Sequence, residues 1–307
     1  MKSIAVVGAG AVGCYYGGRL AAAGEDVRFL MRSDLEAVRE GGLTVESVAG
    51  DFRLEAPQVF GSSGEIGPVD LVMVAWKATS NDHYEEVIAP LLHDGTAILT
   101  LQNGLGNTER LAELFGAGRV LGGLCFVCIN RVARGVIRHS ASGLMTVGEF
   151  SGGLTPRLVG IGRQFRAAAI DCREVEHLAE AQWKKLAWNV PFNGFTIAEG
   201  GIDTEALLAR PGMEDEVRAV MREVVAGAAA LGHRIPDGFI EELLDVTRPM
   251  GPYRPSSMID FEAGRDVEVE AIWAEPLRRA TAAGADLPHW ERLLARIRER
   301  LAARERG

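Results

Sequence analysis

The segment "SIAVVGAGAVG" constrains this chain more than any other, because a β-branched run over residues 3 to 8 leads straight into Gly8, Gly10 and Gly13. A buried strand ending in glycine, a helix over "AVGCYYGGRLAAAG" and a second strand, "DVRFLM", make a βαβ unit. In that setting each glycine does something different. One makes a tight turn, one leaves room for a pyrophosphate to approach the backbone, and one lets helix pack closely on strand. The free amides and the dipole at the helix start favour a phosphate's charge. Gly8, Ala9, Gly10, Ala11, Val12 and Gly13 therefore read as a dinucleotide-binding turn.

Further strands are expected at residues 70–76, 96–101 and 119–129, with helices around 80–92 and 107–115. Strand alternating with helix implies a parallel sheet covered on both faces, an α/β Rossmann-type doubly wound fold. Residues 135–150 read as a hairpin appended to that sheet. After about residue 176 helical patterning takes over, at 178–195, 203–209, 211–231, 236–246, 256–280 and 288–305. The expected organisation is a Rossmann dinucleotide-binding domain over 1–175 and an all-α substrate and catalytic domain over 176–307.

A formal net charge of −9 over 307 residues speaks against nucleic acid or an anionic membrane as the main partner. A local basic pocket for a small anion is compatible with it. No apolar stretch reaches bilayer-spanning length, and the start lacks the features of a signal peptide, so the cytoplasm is the expected location. Cys14, Cys125, Cys128 and Cys172 do not make a disulfide framework in a chain this long. "CFVC" lies in a β-like apolar run with no second CxxC and no His pair, which favours packed thiols over a metal site.

At the end of the second strand an NAD site usually offers Asp or Glu to the ribose hydroxyls. This chain offers Met31, Arg32 and Ser33, and Asp34 follows. A guanidinium beside a hydroxyl suits a 2′-phosphate, which predicts NADP (as NADPH) over NAD. Lys77 in "VMVAWKAT" and Asn103 in "TLQNGLGN" each follow an apolar strand. Ligands of open parallel sheets bind beyond the carboxyl ends of the strands, so both belong near the cofactor. In "WKKLAWNVPFNGF", Lys185, Asn189 and Asn193 recur every four residues and share one helix face. A buried ammonium without partners is costly, so the stripe is expected to face a cleft.

These segments together resemble the ketopantoate reductase family, the NADPH-dependent 2-dehydropantoate 2-reductases. The resemblance covers almost the whole chain, through "GAGAVG", Arg32, "WKAT", "QNGLGN", "KLAWNVPFN" and "SSMIDFEAGRDVEVEAI". It implies a Rossmann domain joined to a helical domain, and reduction of a small anionic 2-oxo acid to a 2-hydroxy acid. It makes Lys185 the catalytic lysine and Glu268 the active-site glutamate, with Asn189 and Asn193 following on the lysine's helix. Lys77 and Asn103 match residues used around nicotinamide and substrate. Counting twelve residues back from the glutamate puts the substrate-binding serine at Ser256, which is the preferred assignment, while aligning on "SSM" chooses Ser257. Trp188 and Phe192 are bulkier than the family pattern, and Pro191 removes a hydrogen bond to residue 187 and is expected to kink the helix. By analogy a homodimer through the helical domain is plausible. Two rival readings are a related reductase of a different 2-oxo acid and a non-catalytic NADP-binding sensor.

Overall fold

Strands β1 (Ser3–Val7), β6 (Leu71–Val74) and β7 (Ala97–Thr100) are apolar almost throughout and nearly all buried, as central strands of a parallel sheet covered on both faces must be. The computed structural model describes residues 2–306. The other strands are β2 (Asp26–Leu30), β3 (Leu43–Ser47), β4 (Phe52–Leu54), β5 (Gln58–Phe60), β8 (Val120–Ala133), β9 (Val136–Glu149) and β10 (Cys172–Val175). Their order is β4-β3-β9-β8-β7-β6-β1-β2-β5, with β10 also paired to β9. From β5 across to β8 every pairing is parallel; β8–β9 and β3–β4 are antiparallel. The chain runs from β1 outward to β2 on one side, then returns to lay β6 on the other, so strand order reverses beside β1. Helix α1 (Ala11–Ala22) packs on this sheet.

The sheet is larger than the sequence suggested. β3, β4 and β5 are short and partly exposed, and their pattern carries no long apolar run. Residues 136–149 form one strand paired along β8, where a hairpin was expected. Within that stretch Gly143 has φ 123° and follows Ser142 at φ 63°. It lies at a register shift: Phe126 pairs with Leu144 and Val127 with Ser142, which is a bulge. The true turn is Arg134–Gly135, with Gly135 at φ 68°.

The chain divides into two compact units. One runs to Asn103 and resumes over Asn107–Leu178; the other takes Gly104–Gly106 and the chain from Ala179 on. Leu105 belongs with the second unit because its amide donates to Ala271 O at 2.9 Å and its side chain joins that core. The second unit is helical, built around Leu178–Ala198 and Met213–Ala230. Residues 185–198 are buried on every face, so the former is a central helix. It continues unbroken through Pro191.

The helix expected over 256–280 is two helices. Ser256–Glu262 stops because Gly264 takes φ 67° and the Arg265 amide turns back to Asp260 O at 2.8 Å, a glycine-terminated Schellman end. Residues 263–268 follow as a connection, then a π-helical turn at Glu270–Ala274 leads into Glu275–Ala282. Among the described residues no helix is long and apolar enough to cross a membrane.

Candidate active site

In the first unit four predicted positions follow the carboxyl ends of four consecutive parallel strands. Arg32 follows β2, Gly8 follows β1, Lys77 follows β6 and Asn103 follows β7. Strand neighbourhood alone brings their loops side by side, at the point where strand order reverses and open sheets bind ligands. Lys77 and Asn103 are both half-buried.

The glycine turn is shaped by two close approaches. Gly8 has φ 90°, and a Cβ there would lie 2.3 Å from the Trp76 amide nitrogen, so the turn is pressed against the loop after β6. A Cβ on Gly13 would stand 2.5 Å from Gly8 O and 3.0 Å from Val6 Cγ1, which fixes how closely α1 sits on β1. Gly10 caps α1 with no side-chain bond, and its own Cβ would meet nothing within 4 Å. The amides opening the helix therefore have no side-chain acceptor from their cap, and the approach to the Gly10 backbone is clear. That is the arrangement a pyrophosphate uses, and the turn fits a dinucleotide. Cys14, one turn into α1, donates its thiol to Ala9 O at 3.2 Å, and burial pushes its pKa up to about 12. Asp34 pushes in the same direction and Arg131 opposes it.

After β2, Arg32 and Ser33 are exposed, whereas Asp34 is buried. The Asp34 carboxylate receives Arg131 Nη1 at 2.9 Å, Ser33 Oγ at 3.0 Å and the Gly135 amide at 3.3 Å. Arg131 also donates to Ser33 Oγ at 3.0 Å. Nothing in the sequence pattern points to Arg131, because its partner lies 97 residues away.

A buried polar network braces the loops after β6 and β7. Thr100 Oγ1 donates to Gln102 Oε1 at 2.8 Å, and the Tyr84 hydroxyl donates to the same oxygen. Gln102 Nε2 donates to Asn81 Oδ1 at 2.7 Å, Asn81 Nδ2 to Asn107 Oδ1 at 2.8 Å, and Asn107 Nδ2 to Asn103 O at 2.9 Å. Trp76 stacks on Tyr84 at 5.7 Å, tying the residue that contacts Gly8 to the same network. Gln102, Asn81 and Asn107 thus hold the backbone that carries Asn103, a role that residue spacing does not reveal.

In the second unit the polar stripe runs along the central helix. Lys185 and Asn189 are each 8% exposed, and Asn193 is 2% exposed. Glu268 is 8% exposed and Ser257 2%, while Ser256 is exposed. The structure brings Asn193 and Ser257 together: the Ser257 amide donates to Asn193 Oδ1 at 3.0 Å. That amide is one of the donors left over at the start of the 256–262 helix, and Pro255 at the cap has no side-chain oxygen to offer it. Glu268 stands just before the π turn, and its carbonyl accepts the Ile272 amide at 3.1 Å. π turns re-aim side chains and recur at functional sites.

Trp188 and Phe192 stack on each other at 4.9 Å, and Trp188 Nε1 donates to Thr247 Oγ1 at 2.9 Å. Their bulk is taken up in the core of this unit. All four cysteines are free thiols, and among the described residues no three His, Cys, Asp or Glu side chains cluster as a metal could use.

Comparison with known proteins gives a consistent set of likenesses. A family model described as "Ketopantoate reductase PanE/ApbA" matches residues 4–152, and one described as "Ketopantoate reductase PanE/ApbA C terminal" matches residues 177–301. A protein of Nostoc sp. named 2-dehydropantoate 2-reductase is 40% identical over 292 residues, spanning 94% of this chain and 91% of that protein. The crystal structure of 2-dehydropantoate 2-reductase from Geobacter metallireducens matches with a TM-score of 0.94 at 45% identity, covering 97% of this chain and 99% of that one. That of Methylococcus capsulatus matches with a TM-score of 0.91 at 31% identity, covering 99% and 98%.

Proposed function

The chain belongs to the ketopantoate reductase family, and on that premise we propose that it catalyses the NADPH-dependent reduction of 2-dehydropantoate to pantoate. The observation that carries this reading is the pair of family matches, which between them take in the glycine turn and the helix bearing Lys185. The Gly8–Gly13 turn receives the pyrophosphate, and exposed Arg32 with Ser33 receives the 2′-phosphate. A bound nicotinamide supplies the hydride to the 2-oxo carbon.

The protein's part is charge and position. As negative charge grows on the carbonyl oxygen, protonated Lys185 supplies both the field and the proton. Glu268 orients the lysine or the new hydroxyl. Asn189, together with Ser256 or Ser257, binds the substrate's carboxylate and hydroxyl groups. Asn193 serves this surface with its amide NH₂, since its oxygen is engaged by the Ser257 amide. Lys77 adds positive potential for an anionic substrate, and Asn103 acts beside it at the nicotinamide. The same reading makes the protein a cytoplasmic enzyme of pantothenate biosynthesis, with a homodimer through the second unit as its candidate assembly.

Purified protein assayed with NADPH against ketopantoate and a panel of other 2-oxo acids tests the proposal. The expected result is the highest kcat/KM with ketopantoate. A clear preference for another 2-oxo acid reassigns the substrate, and tight nucleotide binding without turnover on any of them points to a sensor.

A further inference from the structure

We infer that Arg131 is a determinant of cofactor choice: by engaging Asp34 it keeps a carboxylate of the NAD-binding type from acting at the nucleotide's ribose, and so keeps that position open to a 2′-phosphate. The inference deepens the NADPH reading and rests on it.

The end of β2 is where a dinucleotide fold chooses between cofactors. A carboxylate there accepts hydrogen bonds from the ribose hydroxyls and repels a phosphate; a guanidinium does the reverse. This chain carries both kinds of group within three residues, Arg32 and Asp34. Left to itself Asp34 would work against Arg32. The structure removes the conflict by turning Asp34 inward, where its side chain is 7% exposed, and by pairing it with a guanidinium from β8. The Gly135 amide, from the turn after β8, takes the other carboxylate oxygen. Two donors from the tip of one long hairpin therefore hold a residue of the cofactor loop.

The pair lies close to the nucleotide turn. The end of β2 lies against the glycine motif, where Leu30 pairs with Val7 and its carbonyl accepts the Ala9 amide at 3.4 Å. Arg131 also contacts Ser33, the hydroxyl beside Arg32, at 3.0 Å and remains 45% exposed. Its charge thus stands at the same loop as the proposed phosphate ligands.

The test compares NADPH and NADH dissociation constants, by fluorescence titration, for the wild type, Arg131→Ala and the double variant Arg131→Ala/Asp34→Asn. With Arg131 removed, the Asp34 carboxylate loses its counter-ion and keeps only the Ser33 hydroxyl and the Gly135 amide as donors. The expected result is a loss of NADPH affinity of roughly tenfold or more, with NADH affinity unchanged or improved. The double variant removes the freed charge and recovers most of the NADPH affinity. An Arg131→Ala protein that keeps the wild-type ratio of the two affinities overturns the inference, as does one that loses both nucleotides equally. A double variant as poor toward NADPH as the single one overturns the part played by Asp34. If the wild type itself binds NADH as tightly as NADPH, the proposed NADPH preference fails instead, and the two failures are told apart by the wild-type titration alone.

Discussion

The backbone amide of Ser257 and the side-chain oxygen of Asn193 meet at 3.0 Å, so that the central helix of the second unit caps the first turn of another helix. Asn193 is therefore a structural residue whatever else it does. Asn193→Ala leaves a buried amide donor unsatisfied and is expected to cost about 1–3 kcal/mol of stability. Urea denaturation of the variant measures this. Unchanged stability would mean that the amide finds another acceptor and that Asn193 does not hold the helix.

Lys185 shares that helix face. Lys185→Ala is expected to bind NADPH normally and to lose turnover by a factor of about 10²–10⁴, the usual contribution of a positioned general acid. Stopped-flow reduction assays alongside nucleotide titrations separate the two effects. Near-normal turnover would remove Lys185 from the chemistry.

Arg32 is exposed at the end of β2, free to meet a ligand from solvent. Arg32→Ala is expected to raise the KM for NADPH far more than that for NADH. Equal effects on both cofactors would place the 2′-phosphate elsewhere.

Gly8 combines a φ of 90° with a neighbour, the Trp76 amide nitrogen, only 2.3 Å from where a Cβ would stand. The obstacle is backbone, which cannot step aside as a flexible side chain can. Gly8→Ala is expected to lower stability by about 1–3 kcal/mol or more and to weaken nucleotide binding sharply. Thermal melts with and without NADPH check both. A variant whose melting point still rises with NADPH as the wild type's does would show that the turn tolerates the change.

What was legible in the sequence follows from how local its cause is. The turn at Gly8–Gly13, the strands β1, β6 and β7 and the helical spacing of Lys185, Asn189 and Asn193 are each written within about a dozen residues, and each of these elements forms where the pattern puts it. The neighbourhood of the loops carrying Arg32, Gly8, Lys77 and Asn103 was legible because parallel strand order brings their ends together without any further information. Tertiary partners were not. Asp34 reads locally as an awkward charge beside a phosphate site, and only the hairpin tip, 97 residues on, explains it. Counting favours Ser256 over Ser257 and is blind to how their helix turns. The structure buries Ser257 and exposes Ser256, because the first turn of their helix sets Ser257 toward Asn193. The stretch around Gly143 misled for a related reason: a glycine amid small polar residues signals a turn or a bulge alike, and the partner strand decides.

His139, on β9, gives the first unit a pH response. Its Nε2 approaches Ala141 O at 3.0 Å and Ser142 O at 3.1 Å, and because carbonyls only accept, that nitrogen carries the proton. Nδ1 then accepts from the Ser47 hydroxyl at 2.8 Å, while Ser47 Oγ itself accepts from Arg19 Nη2 at 3.1 Å. The ring lies 4.6 Å from that of Tyr15 and is 1% exposed. A second proton, on Nδ1, would break the Ser47 bond and add a charge facing Arg19. Burial lowers the His139 pKa below its ordinary 6.5 and the Arg19 charge adds to this, against two carbonyls that raise it. The sign follows from that direction. Well above pH 6.5 the ring is neutral in both folded and unfolded chains, and its contribution is fully present. As pH falls below that value the unfolded chain takes up the proton first, so stability drops until the folded ring protonates as well. The urea midpoint of the wild type should therefore decline between about pH 7 and 5 more steeply than that of His139→Gln, which keeps a donor and an acceptor but cannot titrate. Parallel slopes for the two proteins would assign the acid sensitivity to other groups.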